Sequence, residues 1–386
     1  MEHQASHSHS RRRAGALAAL LALAATLLAS TALAAPARAA VPSNFWGAVP
    51  QSSLTLPQLE RLKRGGVDSL RFSIDWAAIQ PSPRAELAWG GVDDTIEAFA
   101  KAGIEALPLL YGAPRWAVPV AAVPGTGGGS KAAAHLPVAG RAGSGWSAFA
   151  RQAVERYGPR GSFWAEHPEV PRDPIHTWQI WNEPNFKYFV ARPNPGEYGQ
   201  LVKRSARAIH AADLGAKIVL GGLFARPGEA GKFQPPRAYS AVEFLELMFK
   251  RTPGVAASFD GVALHPYTTS YLSIPGEIEE LRKLLRARGA GSKGLWLTEV
   301  GWSSEPPSRR DAFAKGLQGQ ASQLSGAFRL LRNNAARWRL KQVFWFSVDD
   351  LPGACNFCGG SGLFKRGFKP KPAWRNFVHF AGGRAS

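Results

Sequence analysis

His176–Phe186, HTWQIWNEPNF, opens as a strand and closes on a carboxylate. Thr177 to Trp181 is short, β-branched or aromatic, and mostly apolar, which suits a strand buried on both faces. Asn182-Glu183-Pro184 then stops it, because Pro184 has no amide hydrogen to give to a ladder. A single acidic residue is therefore fixed at the tip of a buried strand.

Seven further runs of the same kind follow the same plan. They are Phe45–Val49, Ser69–Ile74, Glu105–Leu110, Lys217–Gly221, Gly261–Leu264, Leu295–Thr298 and Val343–Phe346. Amphipathic helical patterns separate them: Leu56–Arg64, Val92–Lys101, Trp146–Tyr157, Tyr198–Ala212, Ala241–Phe249, Glu277–Arg288 and Phe313–Arg332, with Lys371–Phe380 after the last. Eight strands alternating with eight helices predict an α/β fold, a single-domain (β/α)8 TIM barrel over residues 40–386 with enlarged loops at its C-terminal face. The competing doubly wound sheet usually carries a glycine-rich turn after its first strand, and NFWGAVP (44–50) is not one. The Gly/Ala/Pro-rich segment Val118–Gly145 reads as a long loop over the barrel mouth.

The chain has 386 residues, 45% hydrophobic and 11% aromatic, enough for a large core. Its start is of another character. Arg11–Arg13, an Ala/Leu stretch and Ala37-Arg38-Ala39 have the layout of a secretory signal peptide over residues 1–39, cleaved after Ala39. Twin-arginine export is the minor route, since Ala14-Gly15 continues the arginines poorly. No later segment has spanning length without charges, so a secreted, extracellular or cell-wall-associated protein is expected, with no membrane span after the leader is removed. In that oxidising setting Cys355 and Cys358, among loop glycines, are expected to form a short disulfide.

The formal charge of +19 suits polyanionic surfaces or an anionic glycan. The basic residues are scattered, however, as in Arg282, Lys283, Arg286 and Arg288, and no nucleic-acid-binding signature accompanies them. A solvated surface explains most of this charge. Oligomeric state leaves no mark in the sequence.

In such barrels the carboxyl ends of the strands face the site. The fourth strand ends at Asn182-Glu183 and the seventh, GLWLTEVGWSS (294–304), at Glu299. Arg71 lies in the second, His265 and Tyr267 at the end of the sixth, and Trp345 in the eighth. Two carboxylates across a barrel, among tryptophans, suit hydrolysis of a glycosidic bond: one protonates the leaving oxygen and the other attacks or stabilises the anomeric carbon. Aromatic surroundings would raise the pKa of Glu183, while Arg71 or Tyr267 would keep Glu299 charged. No metal-ligand cluster or cofactor motif is evident, and this chemistry needs neither. An aldolase would want a lysine at a strand end, and none is well placed. Asp75, Asp349 and Asp350 read as loop or capping residues, and Trp46, Trp76 and Trp116 as packing.

WNEPN (181–185) together with TEVGWSS (298–304) resembles the retaining glycosidases of clan A. The resemblance runs in order through Arg71, His265-Pro266-Tyr267, Trp345 and the ending GLFKRGFKPKPAW (362–374). It implies a β-glycosidase acting on an oligo- or polysaccharide by double displacement. Glu183 would be the acid/base and Glu299 the nucleophile. Asn182 would bind the sugar's 2-hydroxyl, Tyr267 would hold the nucleophile, and Trp345 would floor the cleavage subsite. Arg71 and His265 complete the implied substrate-binding set. The Trp-Asn-Glu-Pro-Asn form is similar to the β-xylosidase/α-iduronidase family and to some cellulase-family members. The cellulase pattern often has a histidine ending strand three, where this chain has Tyr111 and then Trp116. The alternative is a carbohydrate-binding barrel without turnover at the cell surface, which would be expected to lack one of the two carboxylates.

Overall fold

The computed structural model describes residues 41–124, 130–226, 234–309, 311–353 and 358–384, with backbone alone at 121–124 and 130–132. The leader 1–39 and Cys355 lie outside the described residues. Cys358 is buried and disulfide-bonded. Among the described residues no helix is long and apolar enough to cross a membrane.

Eight parallel strands close a barrel in chain order. They are β1 (Trp46–Val49), β2 (Ser69–Asp75), β3 (Glu105–Tyr111), β4 (Thr177–Asn182), β5 (Lys217–Phe224), β6 (Gly261–His265), β7 (Gly294–Val300) and β8 (Leu340–Phe346). β8 pairs back onto β1, Val343 opposite Trp46 and Phe346 opposite Val49. The helices Leu56–Arg64, Gly90–Ala102, Gly140–Tyr157, Pro195–Ala212, Ala241–Arg251, Ile274–Ala287, Gly316–Asn333 and Pro372–Ala381 form the outer layer. Their starts are written locally. Asn194 Oδ1 accepts from the amides of Gly196 and Glu197, Ser240 Oγ from that of Glu243, and prolines open four of the helices.

The side-chain period of two along each strand divides the core in two. One cluster fills the layer between strands and helices. A smaller one, with Val49, Leu107, Val219, Ala263, Trp296, Phe344 and Phe346, fills the barrel. Where that inner packing gives way to polar groups at the carboxyl ends, the site begins.

Two sequence expectations need correction. Phe313–Lys315 is not helical, and the helix starts at Gly316. Ser303 takes those groups instead: its amide donates to Phe313 O and its carbonyl accepts from Lys315 N. Val118–Gly145 is not one loop. Val120–Pro124 pairs with Ser130–Ala134 as a hairpin, and Gly140–Gly145 is the first part of a helix. Two of the glycines there serve close packing: a Cβ on Gly143 would stand 2.9 Å from the Arg204 guanidinium, and one on Gly145 2.8 Å from the Trp76 ring.

Candidate active site

Strict alternation would bring Glu183 inward but leave Asn182 and Glu299 facing the helices. On β4, Trp178 and Ile180 face the helices while Gln179 faces the barrel. Trp181 should then point in. Its backbone instead lies in the left-handed region, φ 69°, a conformation that costs a non-glycine residue about 1–3 kcal/mol. Its indole packs outward against Trp146 and Tyr111, and Asn182 and Glu183 turn inward together. On β7 a bulge does the same work. Leu297 pairs with Val343 and Val300 with Trp345, so three steps on β7 match two on β8. Thr298 and Glu299 both reach the barrel interior as a result.

Arg71, 2% exposed, reaches up from β2 as a buried cation with every face engaged. Its Nη1 donates to Glu299 Oε1 at 2.6 Å, Nη2 to Asn182 Oδ1 at 2.6 Å, and Nε to Gln179 Oε1 at 2.7 Å. Tyr267 donates its hydroxyl to the other oxygen of Glu299 at 2.6 Å. Burial pushes the Glu299 pKa up, but nearby His265 and Arg71 and the hydrogen bonds from Tyr267 and Arg71 outweigh it. The carboxyl is held below its ordinary range. Tyr267 moves the other way, well above the ordinary phenol value, through burial and then the charge of Glu299. It stays a neutral donor.

Glu183, 4% exposed, meets His265, whose Nδ1 lies 2.7 Å from Glu183 Oε1 and 3.6 Å from Glu299 Oε2. His265 Nε2 lies 2.9 Å from Thr298 Oγ1. Gln179, its oxygen taken by donor-only Arg71, turns its amide nitrogen to Leu220 O at 3.2 Å and Thr298 Oγ1 at 3.4 Å. In its neutral form the imidazole therefore takes the Thr298 hydroxyl at Nε2 and donates Nδ1–H to Glu183. Gly222 makes room for the ring, since a Cβ there would stand 1.9 Å from His265 Nε2.

A carboxylate oxygen of Glu183, one of Glu299 and a His265 ring nitrogen all lie within 4.8 Å of one another, the one grouping of metal-ligand type among the described residues. Arg71 and Tyr267 already satisfy Glu299, and His265 Nδ1 already bonds to Glu183. The cluster is thus equipped to move protons, and a divalent cation would have to displace those donors.

Arg71, Asn182, Glu183, His265, Tyr267 and Glu299 converge. Trp345 does not. It is fully buried on the outer side of β8, packed against Trp302 and Phe328, with Nε1 donating to Ser361 O at 3.0 Å. The site-facing aromatic is its neighbour Phe346, in phase with Phe344 and 6.3 Å from the Tyr267 ring. Asp75 caps the short helix Trp76–Ile79. Asp350 receives the buried Lys371 at 2.5 Å, and Ser52 donates to Asp349 at 3.3 Å. Trp46 stacks on Phe328, and Trp116 meets Trp76 edge-on. The sequence reading missed Gln179, Thr298, Gly222 and Phe346. A polar residue inside an otherwise apolar strand was the available signal for the first two.

No family model and no curated protein matches this chain. Solved structures do resemble it. A family 39 glycoside hydrolase from the gut symbiont Bacteroides cellulosilyticus WH2 superposes with a TM-score of 0.63 at 20% identity, over 88% of this chain and 64% of that one. A monomeric beta-xylosidase from Caulobacter crescentus CB15 gives 0.60 at 18% identity, over 89% and 69%. A GH30 endoxylanase from Clostridium papyrosolvens C71 gives 0.51 at 12% identity, over 88% and 72%. The chain thus spans about two thirds of the length of these clan A glycoside hydrolases. At such identities the likeness is one of fold: this is their barrel.

Proposed function

We propose that the chain is a retaining β-glycosidase acting by double displacement on an oligo- or polysaccharide. The observation that carries the reading is the carboxylate pair, with oxygens within 4.8 Å of one another. Retention needs carboxyl groups roughly 5–5.5 Å apart, whereas inversion needs about 6.5–9.5 Å to admit a water.

Glu299, kept ionised by Arg71 and Tyr267, attacks the anomeric carbon. The bond to the leaving oxygen breaks as Glu183 delivers its proton there. The departing group makes room for water, whose proton returns to Glu183 as its oxygen bonds to the anomeric carbon and releases Glu299. Asn182, on the Arg71 fork, is the residue for the sugar's 2-hydroxyl. Phe346 takes the place at the cleavage subsite that the resemblance gave to Trp345. The scattered basic residues define no subsite for an anionic glycan, and residues 1–39 favour export.

Purified protein tested on a panel of aryl β-glycosides is expected to turn over at least one of them, and Glu299→Ala to lose that turnover while still binding sugar. Equal product release by both proteins would end the enzyme reading.

A further inference from the structure

The mouth of the barrel is chemically lopsided. On the β2 and β4 side the surface is polar: Asn182 lies at the mouth on the Arg71 guanidinium, with buried Gln179 bracing that guanidinium from below. On the far side of Glu183, toward β5 and β6, the surface is aromatic. Phe224 ends β5 pointing into the barrel, opposite His265 and partly exposed. Its ring centroid lies 5.5 Å from that of Phe186 and 5.6 Å from that of Tyr267, the hydroxyl of which binds Glu299. Tyr188 closes edge-on to Phe186 at 4.7 Å.

This surface is built. Asn185, fully buried two residues after Glu183, holds Phe224 by both backbone groups: its Oδ1 accepts from Phe224 N at 3.2 Å, and its Nδ2 donates to Phe224 O at 2.8 Å. The same Nδ2 donates to Tyr239 O at 2.8 Å. A buried asparagine that grips both backbone groups of Phe224 fixes that residue relative to Glu183, which is what a specificity contact needs.

We infer that Phe224, backed by Phe186 and Tyr188, is the platform for the leaving group and selects leaving groups with a flat apolar face. The chemistry behind this is directional. The acid must touch the glycosidic oxygen and the nucleophile the anomeric carbon, so the group departing from that oxygen passes Glu183 away from the polar half. There it meets Phe224. An aryl ring or the C–H face of a second sugar satisfies the same surface. The inference rests on the glycosidase reading above.

The test compares three substrates sharing one glycone: the 4-nitrophenyl glycoside, the disaccharide and the glycosyl fluoride, whose leaving group is too small to reach the platform. In Phe224→Ala, the ratio of kcat/KM for the aryl glycoside to that for the fluoride is expected to fall about tenfold, with Phe224→Tyr restoring it. A parallel fall for the disaccharide assigns the platform to sugar rings as well as aryl groups, and a fall confined to one substrate assigns it to that leaving group. Comparing ratios within one variant removes losses due to folding. Unchanged ratios for both substrates would overturn the platform alone. A wild-type protein that hydrolyses none of the three would overturn the glycosidase reading and the platform with it.

Discussion

Glu183 and Glu299 end two strands of one barrel, and they are held in different ways. Glu299 sits between a buried guanidinium and a phenol, two groups that favour its ionised form. Glu183 shares its pocket with an imidazole, and behind it lie Trp181 and Tyr111, whose rings are 5.0 Å apart. Two identical side chains are thereby given different tasks by their neighbours. The backbones differ too. β4 sends Trp181 outward and brings Asn182 in beside its carboxylate with a left-handed tryptophan, and β7 turns its carboxylate inward with a bulge.

The difference is best broken at the carboxylates themselves. Glu299→Gln is expected to lower kcat by roughly 10⁴-fold or more on every substrate, because no covalent intermediate can form without it. Glu183→Gln is expected to cost roughly 10²–10⁴-fold on poor leaving groups and far less on an activated aryl group such as 2,4-dinitrophenyl, which departs without a proton. A plot of log kcat/KM against leaving-group pKa would separate the two roles, and equal slopes for wild type and Glu183→Gln would erase the distinction.

Arg71→Met removes the cation beside Glu299, together with its hydrogen bonds to Asn182 and Gln179. Leaving Glu299 buried without it is expected to cost about 3–5 kcal/mol of stability in denaturant unfolding. The pH dependence follows from the sign of the shift. Glu299 has a depressed pKa in the folded state, so its contribution to stability is present above its unfolded value and lost as pH falls through the folded one. Arg71→Met should weaken that acid dependence and move the acid limb of kcat/KM to higher pH. An unmoved limb would mean that Arg71 does not set the ionisation of Glu299.

Smaller effects test the histidine side. Thr298→Val takes the hydroxyl from His265 Nε2 and is expected to lower kcat about tenfold, with Thr298→Ser restoring it. Equal kcat in the valine variant would remove Thr298 from the Glu183 arm.

Much of this architecture was legible in the chain, for a physical reason. Buried parallel strands must be short and apolar, and Pro184 punctuates one of them unmistakably, so all eight strands could be located with their ends within about three residues. Side-chain direction was another matter. The bulge at Thr298–Glu299 and the left-handed Trp181 are properties of how neighbouring strands fit, and no local residue announces them. Trp345 shows the cost of that. The resemblance gave it the floor of the cleavage subsite, yet the register of β8 sends it to the helices and brings Phe346 to the mouth. The prediction is direct: Trp345→Ala costs about 3–5 kcal/mol of stability with kcat/KM of the folded fraction retained, while Phe346→Ala raises KM.

The central claim is that Glu299 forms a bond to the sugar. Proton NMR of the first-formed product, recorded before mutarotation from an aryl β-glycoside that the protein cleaves, tests this most directly. A β-anomer appearing first, with the α-anomer growing in later, is the result the account predicts. An α-anomer appearing first would mean a single displacement by water and would contradict it.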